Sequence, residues 1–179
     1  MNDLEAAQRR KPGRPRRKTD VAEGGDALIL RAAMGAFAEK GFSGTTVREV
    51  AGRCGVDPAL INHHFGSKHG LWEAVVNEHA EAVLSRMIKS SSLAADATPG
   101  VRLQSILNAF VDITASNKAV AYFLLRELVD QSDRERYRYI NRVMMAPIKE
   151  IIFPWIERGI ESVEIAPFVP NYLFVSLAS

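Results

Sequence analysis

Apolar residues recur along this chain at steps of three and four, and seldom at the alternate positions a strand requires, so the pattern predicts an all-α protein. Leu28, Ile29, Ala32, Ala33, Ala36 and Phe37 form one stripe. Asp26 is placed to cap that helix and Gly41 to end it after Lys40, which predicts a first helix over 26–40. Val47, Val50, Ala51 and Cys54 fall at i, i+3, i+4 and i+7. Thr45 or Thr46 stands at the cap, with Glu49 three residues after Thr46 as in a capping box. Gly55 supplies a turn, Asp57 caps a third helix and Pro58 fits its first position. In that helix Ile61 and Phe65 sit four apart and face inward with Val56, which turns Leu60, Asn62 and His63 elsewhere. Ser67 caps a long fourth helix to about Ser90, with Leu71, Trp72, Val75, Val76, His79, Val83 and Met87 on its inner face. After a loop from Ser90 to Gly100, three more helical patterns cover 100–116, 118–131 and 133–161. Pro147 and Pro154 predict a kink or break in the last of them, and Pro167 opens another apolar helix in which the chain stops.

The chain therefore divides into an arm over 1–25, a three-helix unit over 26–72 and a larger helical part over 73–179. The arm is polar, interrupted by Pro12, Pro15 and Gly24-Gly25, and too poor in apolar residues to fold by itself, so it is expected to be flexible. Charge sharpens the division. Arg9, Arg10, Lys11, Arg14, Arg16, Arg17 and Lys18 form a run with no acid; without those seven cations the formal charge of +2 becomes −5. A basic arm on a mildly acidic body points to a polyanionic partner. Cys54 is the single cysteine, so no intrachain disulfide is expected and a reducing compartment is. With no segment long enough to span a bilayer and no apolar stretch behind the N-terminal charges, the expected location is cytoplasmic, with no membrane partner.

The most informative stretch is Thr45 to Leu71, T-T-V-R-E-V-A-G-R-C-G-V-D-P-A-L-I-N-H-H-F-G-S-K-H-G-L. Two short helical patterns joined by a glycine turn make a helix-turn-helix, whose second helix enters the DNA major groove by its first residues. Here those are Asp57, Pro58, Ala59 and Leu60, with Pro58, Ala59 and Leu60 the candidate base contacts. Leu60 lies off the core stripe, where thymine methyl groups would be met; the alternative is that it packs the small domain. Phosphate contacts call for short donors near helix starts and for cations at the edges, which Thr45, Thr46, Asn62, His63, His64 and Lys68 can provide. The alternatives are capping alone for the threonines and a solvated pair for the histidines. His63, His64 and His69 lack i,i+4 spacing and the one thiol lies on a core stripe, so neither a metal nor another cofactor is expected. In the arm, Gly13-Arg14-Pro15 flanked by Lys11, Arg16 and Arg17 resembles an AT-hook. Pro12 stands where an arginine usually precedes the glycine. Arg14, Arg16 and Arg17 are candidates for a narrow A·T minor groove; a solvated tail that adds non-specific affinity is the other possibility.

These motifs together resemble the TetR/AcrR family of bacterial transcriptional regulators. The likeness runs from about Asp26 to Val76. It rests on A-x-x-x-F-A-E-K-G-F from Ala33 to Phe42, T-T-V-R-E-V-A from Thr45 to Ala51, Cys54-Gly55-Val56, and H-H-F-G-S-K-H-G-L-W from His63 to Trp72. The resemblance implies an all-helical homodimer. Its N-terminal three-helix domain would bind a palindromic double-stranded operator, and its larger C-terminal domain would bind a small-molecule effector and dimerise. By position, Pro58, Ala59 and Leu60 match base-reading residues, and Thr45, Thr46, Asn62, His63 and Lys68 match phosphate-contacting ones. Asn62 departs from the aromatic the family usually carries there, and Pro58 from a residue that often contacts DNA through its side chain. The family usually ends in two long helices that build the dimer interface. This chain enters the first near Pro167 and stops at Ser179, so its C-terminus is expected to be incomplete.

The resemblance also implies a pocket lined by polar or aromatic side chains on inner helix faces. His79, Asn108, Asp112, Tyr122, Arg126, Asn141, Met144 and Trp155 are the candidates. The function expected is a sequence-specific DNA-binding transcriptional regulator, a repressor released from its operator by an effector. The alternative is an architectural DNA-binding protein without one. An enzyme is not expected, because the chain has no G-x-S-x-G elbow, no phosphate-cradling glycine loop and no recurring metal-ligand spacing.

Overall fold

The structure, a computed structural model, describes residues 18–92, 96–130 and 133–165. Every regular element among them is helical: α1 (Lys18–Gly44), α2 (Val47–Cys54), α3 (Pro58–Phe65), α4 (Lys68–Ser92), α5 (Pro99–Ala115), α6 (Lys118–Val129), α7 (Arg134–Ile140), a π-helical turn (Asn141–Met145) and α8 (Ala146–Glu161). Arg14, Arg16 and Arg17 of the arm, and the apolar run from Pro167 to Ser179, lie outside the described residues.

The first helix departs from expectation at its start. Asp26 does not cap it; α1 begins at Lys18, so the boundary drawn at 25/26 falls inside a helix. The cost of a helix lies in its nucleus, and further residues add on cheaply. Ile29, Ala33, Met34, Ala36, Phe37 and Ala38 are buried and anchor that nucleus, and Gly24-Gly25 does not stop its growth toward the N-terminus. At the other end, helical geometry fails at Gly41, with φ 71° and ψ 176°. Only glycine takes that conformation without strain, and a Cβ there would also stand 3.3 Å from a guanidinium nitrogen of Arg126.

The next helix starts follow their caps. The Thr46 hydroxyl accepts from the Glu49 amide at 3.2 Å, the Asp57 carboxylate from the Ala59 amide at 2.7 Å, and the Ser67 hydroxyl from the Gly70 amide at 3.0 Å. α3 is held tightly against the start of α4: a Cβ on Gly70 would collide with the Phe65 carbonyl oxygen. All of the expected inner face of α4 is buried except His79, which is half-buried and places Nδ1 2.8 Å from the Val75 carbonyl.

Head and body share one core. α1 packs on α6, α4 on α5, and α5 on α8. Phe37 of α1 meets Phe123 of α6 at 6.4 Å between ring centroids, and Trp72 of α4 meets Tyr139 of α7 at 5.6 Å. The helix does not break at Pro147 or Pro154; a π turn precedes Pro147 and helix continues past both prolines. In that turn the Ala146 amide donates to the Asn141 carbonyl, five residues back. Through α7, the π turn and α8 the buried side chains keep a step of four: Arg136, Ile140, Met144, Ile148, Ile152 and Ile156.

Candidate nucleic-acid interface

The outward face of α3 follows from its register. Ile61 is fully buried while Leu60 is 41% exposed, and Ala59, Asn62 and His63 are exposed beside it; Pro58 is half-buried at the first turn. The Asp57 carboxylate is taken up by its cap. The outward start of α3 is therefore short and apolar apart from the carboxylate spent on the cap, a shape that would admit base edges and thymine methyls. Thr46 is exposed at the start of α2.

Two phosphate candidates sit differently from their sequence roles. Thr45 is 1% exposed. Its hydroxyl lies 2.8 Å from the Gly41 carbonyl and 3.1 Å from that of Ala36, and it donates into the end of α1. It holds the turn and is withdrawn from the phosphate set, because a buried donor with two acceptors has nothing left to offer a ligand. Lys68 is half-buried. Its ammonium donates to the Phe42 carbonyl at 3.0 Å and stands 4.3 Å from the centre of the Phe42 ring, which leaves two of its three donors.

One residue missed by the sequence reasoning belongs with the candidates. Arg48 is exposed in the first turn of α2, beside Thr46. The neighbouring cations are tied down: Arg53 reaches Glu39 at 2.6 Å and Glu49 at 2.8 Å, and Lys40 reaches Glu49 at 2.9 Å. Hydrogen bonding from Arg53 holds the Glu39 carboxyl below the usual range, and that from Lys40, then Arg53, does so for Glu49. The same contacts raise Arg53. The signal for Arg48 was its place in the first turn, with no acid one turn before or after it, whereas Arg53 has Glu49 one turn before.

The histidines do not gather. His64 Nδ1 lies 2.8 Å from Asp26 of α1, and His63 packs against His64 at 5.6 Å between rings. His69 packs on Phe42 and Trp72. Burial pushes the Cys54 thiol up, and its Sγ lies 3.1 Å from the Val50 carbonyl. Among the described residues no group of His, Cys, Asp and Glu is arranged to hold a metal.

The pocket candidates are dispersed as well. Asn108, Asp112 and Tyr122 are exposed, and Tyr122 lines an open cleft between α1 and α6 with Gly35, Ala38, Glu39 and Ala119. Arg126 is exposed too, and its guanidinium donates to the Glu39 carbonyl at 3.2 Å. It closes the end of α1. Met144 is buried in the core, Asn141 lies half-buried in the π turn, and Trp155 carries Arg102 at 4.6 Å and Arg158 at 4.8 Å over its ring.

Residues 29–75 match the family model of the bacterial regulatory proteins, tetR family. Over that segment the chain is similar to the tetR family. The chain is 32% identical over 88 residues to the HTH-type transcriptional regulator BetI of Burkholderia thailandensis, covering 49% of this chain and 45% of that protein. It is 37% identical over 92 residues to an HTH-type transcriptional repressor of Mycobacterium tuberculosis, covering 51% and 45%. The chain thus spans about half the length of the curated relatives it matches. The fold extends further. A tetR-family regulatory protein from Rhodococcus RHA1 superposes with a TM-score of 0.72 at 27% identity, over 86% of this chain and 78% of that one. The regulator FadR of Bacillus subtilis, solved with stearoyl-CoA, gives 0.70 at 23% identity, over 85% and 82%. No helix among the described residues is long and apolar enough to cross a membrane.

Proposed function

We propose that this protein is a sequence-specific DNA-binding transcriptional regulator, a repressor that leaves its operator when a small molecule binds the helical body. The observation that carries it is the register of α3, with Ile61 sealed in the core and Leu60, Ala59, Asn62 and His63 turned outward behind a capped, proline-started first turn. α3 lies in the major groove, Pro58, Ala59 and Leu60 meet base edges, and Thr46, Arg48, Asn62, His63 and Lys68 meet phosphates. Repression is supported by the relative named a repressor, and effector binding by the neighbour solved with an acyl-CoA. The working unit is a cytoplasmic homodimer that sets two copies of α3 on half-sites about 34–36 Å apart. An effector releases it by binding better to a state in which that spacing is lost.

Selection of bound duplexes from a random pool tests this. A short palindrome with half-sites one helical turn apart is expected. The seven-cation run of Arg9–Lys18 favours a second reading, an architectural protein that coats DNA without an effector. Recovery of A·T-rich DNA with no palindrome would establish that reading and overturn the first. Deleting residues 1–18 should flatten the dependence of log affinity on log salt and leave the selected site unchanged.

A further inference from the structure

Arg136 is 2% exposed and lies where body and head meet. Its guanidinium holds Glu127 of α6 with contacts of 2.7 and 2.9 Å, Asp130 at 3.1 Å and Asp133 at 3.1 Å. Its free face lies 4.6 Å from the Phe42 ring centre and 5.8 Å from that of Trp72. Phe42 belongs to the head: it follows the break at Gly41 and leads into Thr45 and α2. The same ring carries the Lys68 ammonium at 4.3 Å, and the carbonyl of Phe42 accepts from it. One ring thus bears two cations, one from each side of the domain boundary.

A buried guanidinium is a poor way to gain stability, since apolar side chains of similar volume often do as well or better. What it adds is geometry. Three carboxylates fix the guanidinium plane, the plane fixes the ring, and the ring with its carbonyl fixes the ammonium. Lys68 stands three residues after the end of α3, at the edge where a phosphate would pass.

We propose that Arg136 is a positioning residue for DNA docking, acting through Phe42 on the Lys68 ammonium. This rests on the function proposed above. It makes the α6–α7 corner the place where a movement of the body reaches a phosphate contact of the head.

The test is a mutant cycle on duplex binding by the full chain, read as affinity and as salt slope. Arg136→Met with Glu127→Gln removes the buried pair without stranding a buried charge, since Asp130 and Asp133 are part-exposed. Affinity should fall about tenfold and the log–log salt slope should become shallower by about one, as for a lost phosphate contact. Lys68→Ala alone should do the same, and adding it to the double variant should change neither quantity further. A full additional loss from Lys68→Ala in that background would overturn the proposal. So would unchanged affinity in the double variant. If circular dichroism shows the double variant unfolded, Phe42→Leu carries the test, since it keeps apolar volume and the carbonyl but removes the ring. The same shift in slope and the same non-additivity are then expected, and additivity overturns the role. Absence of any duplex binding by the unaltered chain at low salt would instead remove the proposed function, and this role with it.

Discussion

The start of α3 and the α6–α7 corner use polar groups in opposite ways. Along α3, Asn62 and His63 are left exposed beside an apolar Leu60 and Ala59, and the one carboxylate, Asp57, is consumed by a cap. At the corner, Glu127, Asp130, Asp133 and Arg136 consume one another, and two of them are buried. An interface meant for a ligand leaves its donors unspent, whereas a joint meant to hold shape satisfies its donors internally. Thr45 shows how small the distance between the two roles is. It adjoins Thr46 in sequence, yet its hydroxyl faces the end of α1 while that of Thr46 sits at the surface.

The contrast can be broken most severely at the corner. Arg136→Met alone leaves Glu127 buried without its partner and should cost about 3–5 kcal/mol, measured by urea unfolding. A loss below about 1 kcal/mol would mean that the corner is not the closed ionic joint described. Gly70→Ala forces a Cβ into the Phe65 carbonyl and should cost about 2–3 kcal/mol, with α3 displaced and DNA affinity lost. Normal binding by a stable Gly70→Ala protein would show that α3 is not fixed by this contact. Thr45→Val should cost about 1–2 kcal/mol of stability and leave the salt slope of DNA binding untouched; a shallower slope would return Thr45 to the phosphate contacts. Leu60→Ala should leave the melting temperature near that of the parent and alter preference at one position of each half-site, by about 1 kcal/mol. An unfolded Leu60→Ala protein would place Leu60 in the core.

The smallest effect concerns acid. Hydrogen bonding from the Arg136 amide, with further help from the Arg136 side chain and charge, holds the Asp133 carboxyl below its ordinary 3.8. A depressed value means that the stability it confers is complete above that pH and is lost as pH falls through the depressed value. Burial moves Glu127 the other way, with the Arg136 charge opposing, so its ionisation works against the fold as pH rises. Melting temperatures of the parent and of Asp133→Asn should therefore converge as pH falls below 3.8. Curves that stay parallel through that range would show that the cap carries no such coupling.

Much of the head was legible because its signals are local. Thr46, Asp57 and Ser67 mark helix starts by side-chain chemistry that acts within three residues, and the four-residue step from Ile61 to Phe65 sets which face of α3 turns out. The start of α1 was not legible, since growth of a helix from a packed nucleus leaves no cap pattern of its own. In the body, periodicity identified inward faces but could not separate a pocket lining from a packed or tied residue. Arg126 shows this: its partner is a backbone carbonyl 87 residues away. The ionic corner spans only Glu127 to Arg136, yet the chain turns between α6 and α7, so helical spacing gave no hint that the four side chains meet.

The wide turn at Asn141–Met145 governs more than its five residues. In a regular helix a step of four overshoots a full turn by about 40°, so five such steps from Arg136 to Ile156 would wander roughly halfway round the axis. The i→i+5 turn sets the phase back, and one straight wall of isoleucines faces inward on both sides of it. Winding the same five residues at ordinary pitch would rotate everything downstream by about 100°. That would carry Ile148, Ile152 and Ile156 away from α5. Helical pitch at this point is thus as much a part of the fold's specification as any side chain.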